Sequence, residues 1–172
     1  YKQWYVPNNM AICMSGDLDS DATIALIDKY FGGLKPNPEL PKLDLPKEAP
    51  ITQPVVKEVL GPDAESVALA WRFPGVSDKD FEILQVVSQV LYNGKAGLID
   101  LDLNQQQKVL NSYGYPMGLA DYSALLLGGL PKQGQTLEEV KDLLLSEIKK
   151  LRAGEFDEKM LEANINNFKL GE

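Results

Sequence analysis

The 172 residues include no histidine. That absence excludes a Ser-His-Asp triad, a Cys-His pair and any histidine-bearing zinc site within the chain. Cysteine is nearly absent too. Cys13 stands alone, so there is no internal disulfide and no all-thiolate metal site. Positive charge is in deficit, with 17 Lys and Arg against 25 Asp and Glu for a net charge of −8. Nucleic-acid binding needs a basic stripe to displace counterions, and none is present. The acidic balance suits a soluble surface and implies no function by itself. No apolar run approaches the roughly 20 residues that span a bilayer, and no N-terminal signal pattern occurs. Carboxylate-only calcium or magnesium sites remain open, but no EF-hand spacing is found.

What is present reads as a folded α+β chain. Apolar residues make up 44% and charged residues 24%, near globular averages, and the length allows one domain with a real core. The stretch from Tyr5 to Leu34 sets the pattern. Pro7-Asn8-Asn9 is turn chemistry. Met10 to Met14 is a short apolar run, expected as a buried strand, with Cys13 a small buried hydrophobe in it rather than an exposed reactive thiol. Asp19, Ser20 and Asp21 offer oxygens to a helix start, with Ile24, Ile27 and Phe31 on its apolar face and Gly32-Gly33 as a left-handed stop. Asp17, Asp19 and Asp21 alternate, but without a calcium loop's glycine and glutamate, capping accounts for them better.

Prolines at 36, 38, 41, 46, 50 and 54 make residues 35–54 an extended strap over one domain's surface, since a lone strand and helix before it are too little to fold alone. Residues 55–60 and 65–73 read as a strand pair across Gly61-Pro62-Asp63. Ser77 to Asp80 resembles a capping box before a helix striped by Phe81, Leu84, Val87 and Leu91, widened by Ile83, Val86 and Val90, and closed by Asn93-Gly94. A second helical stretch runs from Ala96 to Gln107, with Leu98, Leu101 and Gln105 on one face. Residues 108–117 and 122–130 form a strand pair, the latter so apolar that it is expected at the sheet's centre. Thr136 to Glu139 is a full capping box for a helix faced by Val140, Leu143, Leu144, Ile148 and Leu151. Gly154 breaks it, and Asp157 caps a last helix faced by Leu161, Ile165 and Phe168. Strands run together with helices between, which predicts a largely antiparallel sheet with helices packed on one face. The chain begins mid-pattern and ends on a barely closed helix, so it reads as a single module, residues 1–172, cut from a longer protein. Its compartment is unknown.

Several ordered pieces carry a family likeness: Tyr5-x-Pro7-Asn8-Asn9-Met10, an apolar strand ending Gly16-Asp17-x-Asp19, and a helix closing on Lys29-Tyr30-Phe31-Gly32. Further on come Lys132-x-Gly134-x-Thr136-x-Glu138-Glu139 and, past the Gly154 break, the pair Leu161-Glu162. Together these resemble the insulinase/pitrilysin-like zinc peptidases, which include the mitochondrial processing peptidases. The match is to the module that follows the zinc-bearing one, and it covers nearly the whole chain. The resemblance implies a metallohydrolase-like module of a bowl-shaped chamber, whose zinc sits in a neighbouring module bearing H-x-x-E-H. It implies no catalytic or metal-binding residue here, and a wall that helps enclose an unfolded peptide substrate. Partners are then the neighbouring modules of the same chain and the peptide, with no nucleic acid and no membrane, and exposed docking surface leads us to expect self-association of the isolated chain. The substrate-holding L-R-x-x-x-x-L-x-Y pattern of some copies fails here: residues 101–113 contain no arginine, and Tyr113 is displaced. Tyr113, Tyr115 and Tyr122 are candidates to line the chamber, although packing with the hydroxyl at the rim explains each. Two other readings stay open: an assembly module of a catalytically dead homologue, and an unrelated α+β domain binding a small ligand in a closed apolar pocket.

Overall fold

The computed structural model describes residues 1–42 and 46–170, with Leu170 described by its backbone alone. The predicted strap therefore lies partly outside the described residues. The chain divides into two compact units, Tyr1–Glu58 and Val59–Glu172.

In the first unit a short 3-10 turn spans Pro7–Asn9 and helix α1 spans Ser20–Phe31. Asp19 caps α1, its Oδ1 accepting from Ala22 N at 2.8 Å. The asparagines that suggested a turn also hold the strap. Asn37 N donates to Asn8 Oδ1 at 2.9 Å, Asn8 Nδ2 donates to the Asn37 carbonyl at 2.8 Å, and Asn37 Nδ2 reaches the Gln3 carbonyl at 3.2 Å. Four expectations are corrected here. Residues 10–14 and 55–60 carry no strand ladder, and Cys13 is exposed rather than buried. A short apolar run becomes a strand only when a neighbour supplies the ladder, and local sequence cannot specify that neighbour. Gly32 ends α1 at φ −61°, an ordinary right-handed conformation, so no left-handed glycine is used.

The second unit holds strands β1 (Val67–Pro74), β2 (Asn111–Gly118) and β3 (Tyr122–Leu130), with helices α2 (Lys79–Leu91), α3 (Leu137–Ala153) and α4 (Glu158–Leu170). The sheet is antiparallel in the order β1-β3-β2, so β3 is central as its apolar run predicts. Alternation along β3 decides which face is covered. Ser123, Leu125, Leu127 and Gly129 are buried, and a side chain at Gly129 would meet Val140 of α3 at 2.5 Å. Leu84 and Leu91 of α2 and Val140 and Leu144 of α3 complete that core with Leu125 and Leu127, and Trp71 and Phe73 of β1 pack against it. This is an α+β unit with helices on one face of an antiparallel sheet.

The caps refine the sequence reading. Asp78, not Ser77, caps α2, accepting from Asp80 N at 3.0 Å. The helix ends at Leu91, ahead of Asn93-Gly94, and Ile83 on its flank is exposed. Thr136 and Glu139 form the full capping box, and Gly154 terminates α3 in the left-handed region at φ +73°.

Residues 96–107 differ from the regular helix expected. Asp100–Asn104 is a π-helical segment, with Gln105 N bonding to the Asp100 carbonyl at 2.9 Å and Lys108 N to the Leu103 carbonyl at 2.8 Å. The wider turn buries Leu98, Ile99 and Leu103 and leaves Leu101 outside, so the predicted face of Leu98, Leu101 and Gln105 is not the packed one. In α4 the face is again displaced. Leu161, Ile165 and Phe168 are exposed, while Asn164 is buried on a helix that packs against α2.

Candidate functional site

The sheet face away from the helices is built by the alternate residues of the same three strands. In register, Tyr113 stands beside Gly128 and Ala68, Tyr115 beside Leu126 and Ala70, and Met117 beside Ala124 and Arg72. Tyr122 follows at the end, opposite Pro74. All three candidate tyrosines therefore share this face. Tyr113 and Tyr115 stack with ring centroids 6.2 Å apart and planes at 17°. The Tyr113 ring lies over Gly128, where any side chain would overlap it. The Arg72 guanidinium sits 5.0 Å from the Tyr122 centroid, a cation–π distance. Tyr115 is exposed, and Tyr113 and Tyr122 are half-buried. Ala68 and Ala70 on edge strand β1 and Ala124 on β3 give the same face small side chains beyond the tyrosines, with Gly128 and Leu126 of β3 between β1 and the Tyr113–Tyr115 pair.

A second set of groups, missed by the sequence reading, ties the π-helical segment to α3. Glu147 is fully buried, and Lys150 Nζ bonds to its Oε1 at 2.9 Å and Oε2 at 3.1 Å while reaching Asp102 Oδ2 at 2.5 Å. Burial pushes the Glu147 carboxyl above its ordinary value, against the pull of Lys150. The bond from Lys150 holds Asp102 below its ordinary value. Burial pulls Lys150 down, but its bonds to Asp102 and Glu147 leave it raised overall. A signal did exist: Val140, Leu144, Glu147 and Leu151 fall on one helix face, so an acid at 147 lies in an apolar stripe.

Two further polar knots shape the same end of the unit. Asp100 Oδ2 accepts from the backbone N of Asn93 and of Gly97, each at 3.0 Å, fixing the turn after α2. Asn104 imitates a neighbouring strand, its Oδ1 accepting from Ser112 N and Oγ at 2.8 Å and its Nδ2 donating to the Ser112 carbonyl at 2.8 Å. Beyond them, an open cleft of about 380 Å³ between α2 and α4 is lined by Gln89, Asn93, Lys95, Asn164 and Asn167 among others. These arrangements position backbone and join elements. Among the described residues, no group of three or more Asp, Glu, Cys or His stands where it could hold a metal ion, and no helix is long and apolar enough to cross a membrane.

The family model described as the Peptidase M16 inactive domain matches residues 1–168. The chain is 28% identical over 155 residues to the protein named Zinc protease PqqE of Helicobacter pylori, covering 86% of this chain and 35% of that protein. It thus spans about a third of the curated relative's length. A crystal structure described as a protease from Helicobacter pylori superposes with a TM-score of 0.70 at 22% identity, over 91% of this chain and 39% of the other, and shows the same fold. With the family model covering residues 1–168, the chain belongs to the M16 peptidases as an inactive, non-catalytic domain of that family.

Proposed function

We propose that this domain is a wall of a peptidase chamber, enclosing an unfolded peptide while the zinc chemistry is done by a neighbouring module of a longer protein. The two units, residues 1–58 and 59–172, belong in this reading to one such module. The observation that carries it is the open sheet face, where Tyr113, Tyr115 and Tyr122 stand together with the small residues Ala68, Ala70, Ala124 and Gly128. Aromatic rings beside small residues offer apolar contact to any extended chain without demanding one sequence. The tyrosine hydroxyls supply donors and acceptors at its rim. Zinc enters only through the family likeness and through the name of the Helicobacter pylori relative, and no role in holding it is given to any residue here.

The test is site-specific photo-crosslinking in the full-length protein, with its zinc site inactivated so that peptide is held and not consumed. A photoreactive phenylalanine at position 115 is expected to capture a bound peptide, and one at Ile83, an exposed position on the helix layer, is not. Equal labelling at both positions, or none at position 115 while the peptide is bound, would overturn the reading.

A further inference from the structure

Helix α4 turns Asn164 inward and leaves Leu161, Ile165 and Phe168 outside, at 37%, 39% and 42% exposure. Their spacing, i, i+4 and i+7, makes one continuous stripe along the helix. Its charges are arranged as deliberately. At 3.6 residues per turn Glu158, Glu162 and Lys169 fall on the same flank of that stripe, with acid towards the N-terminal end and base at the C-terminal end. Among the described residues none of the three forms an ion pair. The helix dipole accounts for the sign at each end but not for the shared flank.

Such a helix is complementary to itself when reversed. About a two-fold axis passing close to Ile165, Leu161 of one copy meets Phe168 of the other, and Glu162 meets Lys169, each contact occurring twice. The opposite, parallel arrangement puts the two charged flanks on opposite sides of the seam, so that Glu162 and Lys169 find no partner in each other. We propose that this face of α4 is an interface between two copies of the chain, packed as an antiparallel helix pair. One helix pair of this length gives an interface at the small, transient end of the range, so dimerisation is expected at concentrations on the order of tens of micromolar.

The experiment is sedimentation velocity on the whole 172-residue chain across a concentration series, with folding of each variant checked by circular dichroism. The parent is expected to move from monomer towards dimer, and Phe168→Glu is expected to stay monomeric. Glu162→Lys or Lys169→Glu alone should weaken dimerisation about tenfold by setting like charges opposite one another, and the double exchange should restore it. In a Cys13→Ser background, Ile165→Cys should be joined to its own copy by a short bis-maleimide. A chain monomeric at every concentration overturns the proposal. So does a dimer indifferent to Phe168→Glu, or a double exchange that fails to restore association.

Discussion

Glu147 is where a single residue most strongly couples sequence to stability. A carboxylate with no exposed surface in an apolar stripe is tolerable because Lys150 bonds both its oxygens. Lys150→Met leaves that acid buried and unpaired. The expected loss lies toward the low end of the ~3–5 kcal/mol seen when buried pairs are broken, because Lys150 and Asp102 are each about a third exposed. Chemical denaturation at neutral pH measures it. The pH dependence has a definite sign for each acid. Glu147 is raised in the folded state, so the native protein binds its proton first, and stability relative to Glu147→Gln should rise as pH falls from neutral toward 4.5. Asp102 is lowered, so its advantage over Asp102→Asn is full above 3.8 and is lost as pH falls through the folded value. Gly97 is a second sensitive position. A Cβ there would lie 2.6 Å from the Leu91 carbonyl oxygen and 2.7 Å from Tyr92 Cα, both backbone, so Gly97→Ala should destabilise by about 1–3 kcal/mol in the same assay.

At the scale of elements, the ends of helices and the joints between them carry the specificity. The Thr136 and Glu139 capping box satisfies donors at the start of α3, the helix that covers the sheet. Thr136→Ala should cost about 1 kcal/mol, read as a lowered denaturation midpoint with an unchanged slope. The backbone and side-chain bonds from Thr136 hold Glu139 below its ordinary value. That contribution is present above 4.5 and fades as pH falls through the folded value, so the variant's deficit should shrink in acid. Such caps are legible in a sequence because all their partners lie within four residues. The π-helical segment is not. Its wide turn follows from where Asn104 must stand to bond Ser112 and where Asp102 must stand to meet Lys150, and these partners are 8 and 48 residues away. Residues 10–14 and 55–60 failed as strands for the same reason, since a ladder is a property of two segments.

For the whole molecule, inactivity is the central expectation. The isolated chain should hydrolyse no peptide with or without added zinc, and calorimetry should find zinc binding no stronger than scattered surface carboxylates give. Cleavage that copurifies with the chain and survives a chelator would point to chemistry built from other groups.

The amino-acid sequence alone determined what this chain cannot do, because composition needs no fold: without imidazole, and with one thiol, no arrangement of these residues makes a histidine-based zinc site. It also determined α1 to α4 and the caps at Asp19 and Thr136, whose forces act between near neighbours, and the central place of β3, whose apolar run must be covered on both edges and one face. Tertiary structure alone decided that Tyr122 joins the i, i+2 pair Tyr113 and Tyr115 on an open face, since strand register sets which residues of β3 stand beside β2. It decided too that Glu147 is buried beside Lys150 and that the apolar stripe of α4 faces outward. Which side of a helix meets its neighbour is set by packing, and an amphipathic pattern names the stripe without naming what covers it.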